Sequence, residues 1–189
     1  MGDRGTAKGA LFLHARKFVM RLGGERAWLA LLAGLRVADR DFLEGRISVG
    51  EWVPVGTWNR LMNAFVEGQG GDAAIELSRF VAAEDLNFLF KMLLKMGSPE
   101  FVLKRTSAIY LRYFDSGEFV TEELAPREWR LTLTAPTDEE AGPSEVVCTY
   151  GVCGWLVEAL VRTGAKSAQV RHVKCRFHGA PRCEYKATW

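Results

Sequence analysis

The stretch that decides the fold is residues 166–188, KSAQVRHVKCRFHGAPRCEYKAT. Two strand-like segments flank residues 178–182, HGAPR, which carry the glycine and proline typical of a turn. Pairing across this turn places Cys175 opposite Cys183, so that both sulfur atoms project from the same face. The stretch therefore predicts a C-terminal β-hairpin that brings two thiols together.

The first hundred residues repeat their apolar side chains at helical spacing. Gly23-Gly24 is typical of a helix C-terminus, so the chain is expected to open with a helical hairpin. Thr57 is a candidate N-cap for a third helix. The predicted helices cover residues 8–22, residues 25–35, a segment capped by Thr57, residues 72–96, and a segment that begins at Ser98-Pro99-Glu100.

Near Ser107 the apolar pattern changes from helical to alternating. Residues 109–114 are predicted to form a hairpin with residues 118–123, and a third strand follows that buries Trp129 together with two leucines. Residues 145–163 return to helical spacing before the final hairpin. Helices, a meander of strands, one helix and a hairpin predict an α+β fold, with N-terminal helices packed on an antiparallel sheet.

Composition bounds the class of protein. The chain has 189 residues, 48% of them hydrophobic and 25% charged, with a formal net charge of +2. These values are typical of a globular protein, and we expect a single domain over residues 1–189. The sequence shows no signal peptide and no uncharged apolar run that could span a membrane; the most apolar window, 86–96, contains two lysines. A cytoplasmic protein with reduced thiols is expected.

Charge is distributed unevenly along the chain. Residues 115–145 hold nine acids against two arginines, a net charge of −7, and residues 160–189 hold seven basic residues against one glutamate, a net charge of +6. Two solvated faces explain this pattern without a partner. The basic segment has no helix-turn-helix, zinc-finger or RNP pattern, so nucleic-acid binding is not expected.

All four cysteines lie in the last 42 residues. Cys148 and Cys153 fall on the helix before the hairpin, so one of them could join Cys175 and Cys183 in a tetrahedral zinc site. Buried free cysteines also pack as small hydrophobic residues, so a core without metal remains open. Of the nearby histidines, His172 would face away from Cys175 under strict alternation unless a bulge intervenes.

The run from Cys148-Thr149-Tyr150-Gly151 through Gly154-Trp155 to residues 172–185, HVKCRFHGAPRCEY, resembles the 4-vinyl reductase domain over about the last 45 residues. The N-terminal helix is similar to a wider group that includes haem-NO-binding-associated proteins and TRAPP vesicle-tethering subunits. The whole chain resembles a bacterial family of about this length with the same fold. The resemblance implies a structural zinc held by Cys148, His172, Cys175 and Cys183, with His172 in place of the family's acid. It also implies a hydrophobic ligand pocket beside the zinc.

No sequence pattern indicates catalysis, since the chain lacks a nucleophile elbow, a phosphate-binding glycine loop and an HExxH helix. The leading hypothesis is therefore a non-enzymatic sensory domain that binds a small hydrophobic ligand and signals through a homodimer or a partner protein. The alternatives are a scaffolding subunit resembling TRAPP subunits, with its interior filled by side chains, and, from the family's name alone, an enzyme or accessory protein acting on a tetrapyrrole or aromatic substrate. The candidate ligand-binding residues are Trp58, Phe119, Trp129, Tyr150 and Trp155.

Overall fold

The N-terminal half of the computed structural model is mostly helical. The structure describes residues 5–89 and 97–189, and for residues 86–89 it describes the backbone alone. The elements of this half are β1 (Thr6–Lys8), α1 (Gly9–Ala33), α2 (Val37–Glu44), β2 (Trp52–Pro54), α3 (Val55–Gln69) and α4 (Gly71–Leu89). β1 and β2 pair antiparallel as a small separate sheet. The predicted end of the long fourth helix, and the apolar window 86–96, lie outside the fully described residues.

Two predictions for this half need correction. The break at Gly23-Gly24 is present, with φ +66° at Gly24, but helical residues continue directly on both sides, so no loop separates the two segments of α1. Thr57 does not cap α3, because that helix begins two residues earlier at Val55. The Thr57 hydroxyl instead donates a hydrogen bond of 2.8 Å to Asp39 on α2, a helix that the apolar pattern did not predict.

The C-terminal half contains the main sheet and the helices that pack on it. Its elements are α5 (Pro99–Lys104), α6 (Thr106–Tyr110), β3 (Glu118–Ala125), β4 (Glu128–Thr134), α7 (Val152–Arg162), β5 (Gln169–Lys174) and β6 (Cys183–Thr188). A π-helical turn, Val147–Gly151, leads into α7, and a 3-10 turn, Arg176–His178, lies between β5 and β6. The strands form an antiparallel sheet of order β3-β4-β6-β5.

The predicted strand at residues 109–114 is wrong. These residues continue from α6 into a turn, and the hairpin partner of β3 is β4. Tyr110 and Phe114 stack with their ring centroids 5.2 Å apart, and the Tyr110 hydroxyl donates to the Ser116 carbonyl at 2.8 Å. Aromatic residues four positions apart fit a helical turn as well as an alternating strand, and here side-chain packing favours the turn.

The inner face of the sheet is buried against the helices. Trp129, Leu131 and Leu133 of β4 are buried as predicted, next to Tyr185 of β6. α4 and α7 pack so closely that a Cβ at Gly154 would lie 2.5 Å from the Ile75 carbonyl oxygen. The predicted α+β class, with N-terminal helices on an antiparallel sheet, a last helix and a C-terminal hairpin, is therefore confirmed. Among the described helices, none combines the length and the hydropathy of a membrane span.

Candidate functional site

An apolar cavity of about 80 Å³ lies between the helices and the inner face of the sheet. Its wall is formed by parts of α1, α3, α4, α6, β3, the π-helical turn and α7. Aliphatic and aromatic side chains form most of this wall, which is the composition of a small-molecule site. Its lining residues include Trp58, Ser78, Val81, Thr106, Tyr110, Tyr113, Phe119 and Trp155.

The close packing of α4 and α7 shapes one side of the cavity. Ser78 and Val81 of α4 line it together with Trp155 of α7. Gly154 permits this arrangement because it carries no side chain where α7 meets the backbone of α4. The turn after α6 contributes Tyr113 to the wall, and its ring meets that of Trp155 edge-on with centroids 6.0 Å apart.

A polar pair lies behind the wall near Tyr113. His14 Nε2 is 2.9 Å from Asp85 Oδ1, and both side chains are largely buried. Burial raises the pKa of Tyr113, and the negative charge of Asp85 raises it further. Neither His14 nor Asp85 lines the cavity. The cavity wall therefore has no charged side chain among the described residues.

The five predicted ligand-binding residues are divided between the cavity and its surroundings. Trp58, Phe119 and Trp155 line the cavity. Trp129 is buried in the sheet beside Lys104, and Tyr150 lies against Gly71 at the start of α4, so that neither is part of the wall. Tyr110 and Tyr113 also line the cavity but were not among the predicted ligand-binding residues.

A second polar cluster lies where the C-terminal hairpin meets the π-helical turn. The guanidinium of Arg176 is buried, and its Nη1 lies 2.8 Å from Cys148 Sγ and 3.2 Å from Cys183 Sγ. Its other nitrogens donate to the carbonyl oxygens of Pro136 and Pro143. Arg176 therefore connects the 135–144 loop, the π-helical turn and β6.

The two cysteines of this cluster have opposite acidities. A hydrogen bond between them raises the pKa of Cys148, and burial raises it further. The same hydrogen bond lowers the pKa of Cys183 to about 3 against the opposing effect of burial, with additional support from His172 and Arg176. The positive charge of Arg176 lies against both sulfurs and favours the ionised form of Cys183.

His172 approaches the hairpin sulfurs because β5 is irregular. The register between β5 and β6 shifts between His172 and Lys174. This irregularity is the bulge without which strict alternation would turn His172 away from Cys175. The His172 ring stacks on Tyr185 with centroids 4.6 Å apart, and its Nδ1 is 3.3 Å from the Thr149 hydroxyl. The ligand atoms of His172, Cys175 and Cys183 lie within 4.8 Å of one another. Cys148, the fourth predicted ligand, is not part of this group.

The chain is similar in structure to H-NOX proteins. An H-NOX protein from Shewanella oneidensis in the Fe(II)NO ligation state superposes with a TM-score of 0.71 at 13% identity, covering 95% of this chain and 97% of that one. An Fe(II) unliganded H-NOX protein from K. algicida gives a TM-score of 0.70 at 13% identity, covering 96% and 95%. No protein-family model matches the chain, and no curated protein matches it.

These comparisons establish an H-NOX-like α+β fold for the chain. They support the resemblance to haem-NO-binding proteins at the level of the fold. The resemblances to the 4-vinyl reductase domain and to TRAPP subunits are not confirmed.

The prediction of a structural zinc is wrong. The metal named with the similar structures is Fe(II). A further similar structure is described by its heme redox potential; it has a TM-score of 0.64 at 12% identity and covers 96% of this chain and 99% of that one. In this chain the guanidinium of Arg176 lies against the sulfurs of Cys148 and Cys183, where a shared zinc ion would have to bind. A buried positive charge there opposes a dication and uses the sulfur lone pairs as hydrogen-bond acceptors.

Arg176 is the residue of this cluster that sequence reasoning missed. It stands between Cys175 and Phe177 in a segment rich in basic residues, and it was counted with the solvated positive charges of the C-terminus. The available signal was its position beside a cysteine in a tight turn, where an arginine side chain can fold back over the hairpin.

Proposed function

We propose that the chain is a non-enzymatic sensory domain that binds a small hydrophobic ligand in the cavity between its helices and its sheet. The observation that carries this proposal is the cavity itself, an apolar space bordered by parts of α1, α3, α4, α6, α7, the π-helical turn and β3. A cavity lined by aliphatic and aromatic side chains can hold an apolar molecule, because apolar cavities of this kind exclude water. The H-NOX-like fold is compatible with a ligand-binding role.

The described residues of the cavity do not fit haem, the group named with one of the similar structures. Protein ligands to haem iron are His, Cys, Met or Tyr side chains. The described wall contains no His, Cys or Met, and its two tyrosines are Tyr110 and Tyr113. Burial raises the pKa of both, which disfavours the tyrosinate that an iron ion would bind.

The three histidines of the chain are engaged elsewhere. His14 pairs with Asp85, His172 stacks on Tyr185, and His178 Nε2 is 2.8 Å from a carboxylate oxygen of Glu145 on the surface. The described wall also lacks an Arg or Lys side chain that could pair with porphyrin carboxylates. The proposed ligand is therefore smaller than haem, and no step of the proposal depends on iron.

Signalling through another molecule completes the proposal. α1 exposes three large apolar side chains, those of Met20 and Leu22 before the Gly23-Gly24 break and that of Leu29 after it. Exposed apolar side chains on one helix are available to a partner protein or to a second copy of the chain. We retain residues 1–189 as one domain, with a homodimer or a partner protein as the recipient of the signal.

Native mass spectrometry and a haemin titration of the purified protein test this proposal. We expect a bound apolar molecule that is released on denaturation, or binding of one added benzene per chain, and no Soret band after haemin addition and desalting. A stable complex with one haem per chain would overturn the proposed ligand. A protein that binds neither haem nor any apolar molecule would overturn the sensory function.

A further inference from the structure

Trp58, one of the residues that line the cavity, has an indole N–H group without a hydrogen-bond partner in the described parts of the chain. Trp58 is only 4% exposed and lines the cavity, and its Nε1 is buried without an acceptor among the described residues. The buried Nε1 of Trp155, which also lines the cavity, likewise has no hydrogen-bond partner in the part of the chain that the structure describes. The Trp155 Nε1 lies near the Tyr113 hydroxyl but does not reach hydrogen-bond geometry with it. A buried donor without an acceptor destabilises a protein, so such groups require an explanation.

The hydroxyl groups of the wall, in contrast, already donate their protons. Ser78 donates to the Ala74 carbonyl at 2.8 Å and Thr106 to the Val102 carbonyl at 3.3 Å. Tyr110 donates to the Ser116 carbonyl. The Tyr113 hydroxyl lies next to the Asp85 carboxylate. The unsatisfied polar groups of the lining residues are therefore the two indole N–H donors, which lack a hydrogen-bond acceptor.

From this arrangement we propose that the ligand of the cavity is a small neutral molecule, apolar over most of its surface, that carries a hydrogen-bond acceptor facing Trp58. This inference rests on the proposed function and adds the chemical class of the ligand. Neutrality follows from the wall, since no charged side chain among the described residues lines it. A carbonyl, an ether or an aromatic ring nitrogen provides the required acceptor. A carboxylate or an ammonium group would be buried without a counter-charge.

Pyridine and benzene are the matched probes for this inference, because they have nearly the same shape and only pyridine has an acceptor. The measurement is a two-dimensional ¹H–¹⁵N spectrum of the full chain, in which each of the six tryptophans gives one indole signal. Titration is carried out at a pH where pyridine is uncharged. The Trp58→Phe variant identifies the Trp58 signal and removes its donor.

Trp28 provides the control, because its Nε1 is also buried and unpaired while its side chain does not line the cavity. We expect pyridine to move the Trp58 signal downfield and benzene to move it little. We expect Trp58→Phe to weaken pyridine binding by about fivefold, the effect of one net hydrogen bond, with benzene binding nearly unchanged. Trp28→Phe should leave both affinities unchanged.

The outcomes separate the inference from the proposed function. If both probes bind but Trp58→Phe changes their affinities equally, the acceptor requirement is overturned and the apolar cavity site stands. If neither probe binds to a folded protein, the proposed function is overturned together with the inference. If pyridine moves the Trp28 signal as much as the Trp58 signal, the assignment to this cavity is wrong.

Discussion

Arg176 donates a hydrogen bond of 2.8 Å from its Nη1 to the sulfur of Cys148. The same nitrogen lies 3.2 Å from Cys183 Sγ, so a single buried guanidinium joins the π-helical turn to the last strand. The resemblance placed a metal cation in this role, and an arginine from the hairpin turn takes it instead. The C-terminal end of the chain is thus held by an organic cation that the sequence itself supplies.

Replacing Arg176 should destabilise the protein strongly. Arg176→Met removes the cation beside the Cys183 sulfur and the guanidinium donors to the two proline carbonyls. Loss of one partner of a buried ion pair costs about 3–5 kcal/mol, and protonation of the thiol lowers this to about 2–4 kcal/mol. Urea unfolding followed by circular dichroism measures the change.

The control Arg182→Met, at an exposed arginine 3.7 Å from Glu184, should change the free energy of unfolding by less than about 0.5 kcal/mol. Equal effects of the two variants would contradict the role given to Arg176.

Asp39 should make the protein less stable in acid. Burial opposes its ionisation, but hydrogen bonds from Arg60, Thr57 and Arg36 outweigh burial and lower its pKa from 3.8 to about 2. A carboxylate with a lowered pKa stabilises the folded state above its unfolded pKa, and this stabilisation is lost as the pH falls from about 4 to about 2. It amounts to about 2.5 kcal/mol at most, at about 1.4 kcal/mol for each unit by which the pKa is lowered.

The pH dependence of unfolding in Asp39→Asn tests this assignment. The variant should be less stable than the parent protein at neutral pH, and the difference should shrink as the pH falls through that window. Asp41→Asn changes an exposed carboxylate on the same helix and should keep the parent's acid dependence. An acid dependence that survives unchanged in Asp39→Asn would assign the effect to other carboxylates.

The contact between α4 and α7 should not tolerate a side chain at Gly154. In Gly154→Ala the new Cβ would lie 2.5 Å from the Ile75 carbonyl oxygen and 2.9 Å from the Ser78 Cβ, so the helices must move apart. We expect a loss of about 1–3 kcal/mol in the free energy of unfolding and weaker ligand binding, since Ser78 lines the cavity. Gly68→Ala, in open space on α3, should instead be neutral or stabilise by up to about 1 kcal/mol. A neutral Gly154→Ala variant would show that the two helices are not in close contact.

The sequence predicted most of the framework because its local signals are strong. Ser98 accepts a hydrogen bond from the Phe101 N–H at the start of α5, as the cap-proline-acid order indicates. The alternation at Trp129 and its neighbours identified β4 correctly. The prediction of a strand at residues 109–114 was wrong because aromatic residues at these positions fit both periods; in the folded chain Tyr110 and Phe114 stack within one turn.

The candidate site was less predictable because its chemistry depends on long-range packing. Trp58 and Trp155 stand far apart in the sequence, and only the folded chain places both on one cavity wall. The cysteine spacing correctly indicated proximity of Cys175 and Cys183 but not the cation that accompanies them. Spacing along the chain cannot show that Arg176 folds back to bind the sulfurs.

Filling the cavity should stabilise the protein or leave its stability unchanged. Val81 is buried on α4 and lines the cavity, so the larger side chain of Val81→Phe can enter the empty space. Cavity filling is commonly worth about 0.5–2 kcal/mol when the site accepts the added atoms. Val161→Phe, at an exposed position on α7, is the control and should change stability little. A loss of several kcal/mol in Val81→Phe would mean that the space is already filled by packed side chains.

The most direct test of the central claim is the midpoint of thermal unfolding, Tm, as a function of benzene concentration in the parent protein and in Val81→Phe. A ligand that binds only the folded state raises the stability as the logarithm of its concentration above Kd. We predict a Tm that rises with benzene in the parent protein and in Val161→Phe but stays constant in Val81→Phe. A parent protein whose Tm does not respond, or a rise of equal size in Val81→Phe, would contradict a ligand site in this cavity.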